Sequence, residues 1–458
     1  MELLADLTPL RASPDFRRLW IGTTLSTTGS ALTSFAVTLQ VYDITRSPLA
    51  VGLIGLAIMV PLLVVGLVGG PLIDTVGKRT LILACTCGNM AVSAALTVQA
   101  LLGPDVVWQL YVLVAVQSAI AAIGAPARRA LTPALLPADQ LTAGLALQRL
   151  TFQITLIAGP ALAGVIVAAP HLGLRGCYAI DTASFAASVY GVGRLPAMRA
   201  VRSSPERAGL AAVAAGLSFI GRTPVLAGAF LTDLTGVFFG LPTSLFPAIN
   251  AARFGDDPRT LGLFTAAIGV GGLVSALLSG PLRAVARPGL AMLVSVSVWG
   301  AGFAVFAVAA SLWLTLLALA VAGAADTVTV VFRGLIVQTV TPGELRGRVT
   351  AADYIVGAGG GQLGSLEAGA VGSLTTPVIS ALSGGLLAMA GAVVIGAALP
   401  AFRRYRQPSA VVPAPAVVPA PGAVPAPAVP ASAVVQDEGL LADADDAGVE
   451  PGHDDVAR

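Results

Sequence analysis

Twelve times along this chain a run of about twenty apolar residues recurs, at 18–41, 48–70, 80–102, 106–125, 141–168, 174–195, 224–248, 260–281, 289–309, 312–333, 349–372 and 375–401. A helix rises about 1.5 Å per residue, so runs of this length match the ~30 Å hydrocarbon core of a bilayer. Charged residues make up only 11% of the chain, against about 25% in a soluble domain. A surface this apolar needs lipid as part of its solvent. In lipid the backbone must satisfy its own hydrogen bonds, which helices do. The expectation is an all-α membrane protein with twelve spanning helices. The first twenty residues mix Glu2, Asp6 and Asp15 with Arg11, Arg17 and Arg18. The apolar run after them is long enough to span, so it reads as a retained first helix rather than a cleaved leader.

The longest gap, 196–223, carries Arg199, Arg202, Arg207 and Arg222 and reads as a cytoplasmic linker between two six-helix halves, 1–195 and 224–406. The halves echo each other. Gly70-Pro71-Leu72 recurs as Gly280-Pro281-Leu282; Arg128 lies nine residues before Pro137, and Arg333 nine before Pro342. Asp139 and Glu344 follow those prolines at the same spacing. Residues 407–435 are a Pro/Ala/Val run, which prevents a helix, and the acidic end beyond has too little apolar content to fold. That tail, 407–458, is expected to be disordered. From Gln436 onward it holds eight acids and one base, which leaves 25 bases and 16 acids for the rest of the chain. The bases cluster in alternate loops. Arg17, Arg18, Lys78, Arg79, Arg287, Arg346, Arg348, Arg403 and Arg404 fall on the side of the termini, and only Arg46, Arg175, Arg253 and Arg259 on the other. Cationic loops stay in the cytoplasm, so both termini are expected inside the plasma membrane. No basic face with interleaved aromatics suits nucleic acid.

Between the second and third runs lies Gly70-Pro71-Leu72-Ile73-Asp74-Thr75-Val76-Gly77-Lys78-Arg79. An acid, a glycine turn and adjacent cations form an unusual link between spans. The loop resembles the signature loop of the major facilitator superfamily, Gly-x-x-x-Asp-Arg-x-Gly-Arg-Arg. It matches at Gly70, Asp74, Gly77 and Arg79, conservatively at Lys78, and departs at Thr75. Tyr42-Asp43-Ile44-Thr45-Arg46-Ser47-Pro48, Pro126-Ala127-Arg128-Arg129 and the stretch from Pro342 through Glu344, Arg346 and Arg348 are similar to the branch holding the enterobactin (siderophore) exporter and macrolide efflux pumps. That resemblance covers about residues 15–405. It implies two parallel six-helix repeats with a substrate site between them at mid-bilayer. It also implies a conformational latch in which Asp74 meets the positive start of the eleventh helix near Arg348, and proton-driven export. Gly159, Pro160 and Gly164 resemble the core of the antiporter motif, where small residues let helices approach. Many relatives carry Gly-Asp in the first helix; this chain has Gly29-Ser30.

Charges inside the spans are candidates by cost alone, since each is worth at least about +2.5 kcal/mol at bilayer depth unless paired or hydrated. They are Arg149, Asp181, Asp233, Asp326, Arg333, Asp353 and Glu367. Asp233 and Glu367, then Asp181, are the expected proton carriers. Arg149 would balance an acid or meet an anionic substrate. Asp326 and Arg333, seven apart on one helical face, would pair. Cys85, Cys87 and Cys177 lack metal-binding spacing, and no phosphate-cradling loop is present, so no cofactor or metal is expected. The reading is a monomeric exporter, not an enzyme, that trades a siderophore for protons. A drug efflux pump is the alternative; a sensor or lipid scramblase is the reading from another class. A basic, aromatic cavity would favour an anionic catecholate; a greasy cavity with one acid would favour a cationic drug.

Overall fold

Prolines and hydroxyls set the helix starts. Six of the long helices begin on proline, which needs no amide partner in the first turn. Ser13, Asp257, Ser311 and Thr376 accept amide hydrogens from Phe16, Arg259, Leu314 and Ile379 at 3.2, 3.0, 3.3 and 3.1 Å. In this computed structural model, residues 6–68, 77–103, 106–196, 210–280, 282 and 285–407 are described. The spanning helices are α1 (Pro14–Thr45), α2 (Pro48–Val68), α3 (Lys78–Leu102), α4 (Val107–Leu135), α5 (Ala138–Ala168) and α6 (Gly173–Gly193) in the first half. The second half holds α7 (Pro224–Phe239, continued by Thr243–Leu245 and Phe246–Arg253), α8 (Pro258–Leu277), α9 (Pro288–Val308), α10 (Leu312–Val340), α11 (Gly343–Leu374) and α12 (Pro377–Ala398). Among the described residues no strand occurs.

All twelve expected runs fall on these helices. Nine described segments are long and apolar enough to cross a bilayer by composition alone. The helices outside that set, α1, α6 and α11, are the polar ones, and they carry most of the internal chemistry below.

Several boundaries differ from the sequence reading, those of α4, α10 and α11 most. Helix α4 does not stop near 125 but runs to Leu135 through Pro126 and Pro133. Arg128 and Arg129 are therefore helical, not loop, residues. Membrane helices tolerate proline because neighbours re-satisfy the freed backbone groups. Likewise α11 begins at Gly343, so Glu344, Arg346 and Arg348 lie in its first turns behind Pro342. Within the stretch read as linker, Leu210–Arg222 is a helix that packs on α11.

The pairings repeat at a step of six. α2 packs on α4 as α8 packs on α10, α3 on α6 as α9 on α12, and α1 on α5 as α7 on α11. The halves meet through α2–α11 and α5–α8. At the second seam a Cβ on Gly164 would sit 2.5 Å from the Pro258 carbonyl, so only glycine allows that approach. The close approaches between halves run from the end opposite the termini (the far end) to about mid-helix, where Gly359 of α11 faces Met59 of α2. On the near-end side of that contact, Tyr354 of α11 borders a cavity otherwise lined by the first half.

Candidate transport site

Helix α1 places a hydroxyl stripe on this cavity. Thr23, Thr27, Ser30, Ser34 and Thr38 recur at three- and four-residue steps, one helical face. They line a space of about 520 Å³ with Asn89, Gln117, Ser118, Arg128, Phe185 and Tyr354. Two smaller spaces adjoin it. One, of about 170 Å³, shares Thr23, Thr27 and Arg128 and adds Trp20, Gln148 and Phe152. The other, of about 360 Å³, is bounded by both halves, with Phe35 and Phe152 on one side and Phe246 and Thr265 on the other. Across the three linings Arg128 is the sole charged side chain among the described residues.

Asp181 does not face the cavity. It is fully buried behind α1 and accepts from Thr33 at 2.7 Å, Ser93 at 2.6 Å and Ser184 at 3.4 Å. The carboxylate ties α1, α3 and α6 together. Gly29 is what lets α1 come this near, because a Cβ there would meet Asp181 and Ser184. Below it in the same interface Tyr178 donates to Gln40 at 2.7 Å, and Gln40 donates to Gln99 at 3.0 Å. On the other side of α1, Thr24 pairs with Thr151 at 3.2 Å and Thr28 with Thr155 at 3.3 Å.

The second half holds the ion cluster. Arg333 of α10 reaches Asp233 of α7 at 2.6 Å and Asp353 of α11 at 3.2 Å. The Asp233 side chain is 4% exposed and that of Arg333 13%. The expected Asp326–Arg333 pair does not form; Arg333 turns across the bundle to neighbouring helices instead. Asp326 and Glu367 are half-buried and have no ion pair among the described residues. Arg149 is exposed and lies 5.3 Å from the Phe152 ring, with no ion pair to an acid among the described residues.

Of the signature loop, Gly70 and Asp74 lie outside the described residues. Gly77 precedes α3, and Arg79 donates to the Gly193 carbonyl at 2.5 Å. A cation on the last turn of α6 meets the negative end of that helix. Its partner is a backbone carbonyl of the same half. Arg346 donates to the Gln338 carbonyl at 3.4 Å, and the Arg348 carbonyl faces Gly216. Gly159 packs on Ala31 of α1, while Pro160 and Gly164 make the α5–α8 seam.

The far end is closed by charge as well as packing. Arg46 in the α1–α2 turn pairs with Asp256 across the halves at 2.7 Å and with Asp43 at 3.4 Å. Both Arg46 and Asp256 sit at positive φ, 50° and 58°, a region that costs non-glycine residues energy. The Asp256 hydrogen bond holds the Arg46 guanidinium above its usual range. Leu49 also donates its amide to Ser373 at 2.9 Å. Arg46 is more than half exposed, so the pair is worth at most about 1 kcal/mol. Asp256→Asn should therefore raise the far-end-open population by up to about fivefold. Electron-spin distances between labels at His171→Cys and Leu374→Cys would report it as a longer component.

Comparison with known proteins places this architecture. The family model described as transmembrane secretion effector, within the major facilitator superfamily, matches residues 4–420. The enterobactin exporter of Citrobacter koseri is 29% identical over 418 residues, covering 89% of this chain and 97% of that protein. The enterobactin exporter of Salmonella paratyphi A is 30% identical, covering 89% and 98%. The nucleoside transporter NupG superposes with a TM-score of 0.69 at 14% identity, over 85% of this chain and 99% of that one. A bacterial homologue of the iron transporter ferroportin in an inward-facing state gives 0.62 at 16%, over 86% and 99%. With matched sequence along nearly the whole bundle and the fold shared with solved transporters, this chain is a member of the transmembrane secretion effector family of the major facilitator superfamily, a membrane exporter and not an enzyme.

Proposed function

We propose that the protein is a proton-driven antiporter that exports a siderophore-type acid across the plasma membrane, working as a monomer with both termini in the cytoplasm. The observation that carries the reading is the separation of two kinds of chemistry. The first-half wall of the cavity, with Tyr354 the one lining residue from the second half, carries hydroxyls and aromatics, one guanidinium and no carboxylate among the described residues. That composition favours an acidic, hydroxyl-bearing cargo over a cationic drug. The paired acids of the second half, Asp233 and Asp353, are gathered on Arg333. The similar proteins named as enterobactin exporters support the same cargo class. The excess of arginine on the near end supports the orientation.

Coupling follows from the cluster. While Asp233 is ionised, Arg333 holds it. A proton arriving on Asp233 cancels that attraction and leaves Arg333 to Asp353 on α11. Helix α11 is also the one that packs on α2 of the other half. Proton arrival on α7 is thus felt at a seam that must loosen for the far end to open. Cargo leaves as the proton enters, and the halves rock about the α2–α11 and α5–α8 contacts.

The cellular test is mass spectrometry of siderophore inside and outside iron-starved producer cells, with and without the gene. Deletion should trap siderophore inside. An unchanged partition would remove the siderophore reading and leave drug efflux, tested by a susceptibility panel.

A further inference from the structure

We propose that Arg128 is the residue that receives the acidic group of the cargo, a carboxylate or an ionised phenol, at the near-end mouth of the cavity. The inference rests on the siderophore-acid reading above and names the contact that would select it.

The internal repeat supplies the argument. Arg128 and Arg333 stand at matching places, each nine residues before the proline that starts the next helix. Both are carried by the fourth helix of their half, α4 and α10, which runs toward the near end. Arg333 is neutralised inside its half by Asp233 and Asp353. Arg128 has no ion pair among the described residues, and the linings of both spaces it borders contain no acid. Helix α1, the repeat counterpart of α7, presents threonines and serines there instead of an acid. On α5, the counterpart of α11, Gln148 lines the smaller space with Thr151 and Phe152, and donates to Thr132. One half therefore carries its own counter-ions and the other does not.

A guanidinium held between apolar helices without a counter-ion is costly. A ligand that brings the missing negative charge recovers that cost on binding. Arginine also offers a planar fork of donors suited to two oxygens at once, as in a carboxylate or a catechol. Trp20 and Phe152 border the smaller space beside it and Tyr354 the larger one, so aromatic surface lies on both sides of the charge. Arg128 joins the two spaces, so an acid bound there lies at the path between the near end and the hydroxyl stripe.

The test uses the full chain in nanodiscs with two probes, 2,3-dihydroxybenzoate and its neutral methyl ester, read by calorimetry. The wild type should bind the acid more tightly than the ester. Arg128→Gln should weaken acid binding about 10- to 100-fold and leave ester binding within about twofold. Arg128→Lys, which keeps the charge but not the fork, should lose several-fold for the acid. It also serves if the glutamine variant fails to fold. Equal affinities for acid and ester in the wild type, or equal losses for both probes in the variants, would overturn the proposal. Acid binding that depends on Arg128 in a protein whose gene deletion leaves siderophore partition unchanged would instead remove the siderophore reading and keep this site. Trapped siderophore with Arg128-independent acid binding would do the reverse.

Discussion

Asp233→Asn is expected to bind cargo as the wild type does and to lose all gradient-driven accumulation. The substitution keeps size and a hydrogen-bonding oxygen for Arg333, 2.6 Å away, but cannot take up and release a proton. With one proton per cycle, each pH unit across the membrane supports about tenfold accumulation, or about 1.4 kcal/mol. In proteoliposomes with the electrical potential clamped, the wild type should follow that slope. The variant should stay near a ratio of one at every gradient while still exchanging labelled for unlabelled cargo. Exchange without net accumulation separates a lost proton site from a lost binding site. A variant that still accumulates against the gradient would move coupling to another acid, and half-buried Glu367 would be the next to replace.

Arg333→Ala has the larger effect on the fold. Removing it leaves buried Asp233 and part-exposed Asp353 without the cation that both now share. Breaking a buried pair by deleting one partner costs about 3–5 kcal/mol, so the variant should express poorly and melt at a clearly lower temperature in detergent. Adding Asp233→Asn removes the more deeply buried charge and should recover most of the melting temperature while transport stays absent. The double variant decides between two roles for the cluster. If stability returns and transport does not, the cluster is both structural and functional. If transport returns as well, it is structural alone and coupling lies elsewhere.

Asp181 differs from these acids although sequence spacing ranked it beside them. Its depth in α6 was legible from the distance to the helix ends. Its three hydroxyl donors, from α1, α3 and its own helix, were not. Local periodicity reports which residues share a face within one helix, and partners from other helices lie beyond it. The same limit explains the expected Asp326–Arg333 pair: seven residues on one helix is a valid geometry, but Arg333 finds its carboxylates on α7 and α11. Ending the fourth apolar run at 125 placed Arg128 beyond the span. In a bilayer α4 continues past Pro126, and the arginine moves from a cytoplasmic loop to a cavity wall. The hydroxyl stripe of α1 was readable throughout, since Thr23, Thr27, Ser30, Ser34 and Thr38 keep helical steps in the bare sequence. The twelve spans and the near-end arginine excess came from hydrophobic length and charge counts, which depend on the bilayer more than on tertiary packing.

The central claim is that an inward proton gradient drives an acidic siderophore out through this protein. The most direct measurement is uptake of labelled siderophore into inside-out vesicles carrying the full chain, with the lumen made acidic relative to the bath. The account predicts accumulation that rises about tenfold per pH unit, collapses on adding a protonophore and is absent in vesicles lacking the protein. Accumulation that persists after the gradient is dissipated, or none at any gradient, would contradict it.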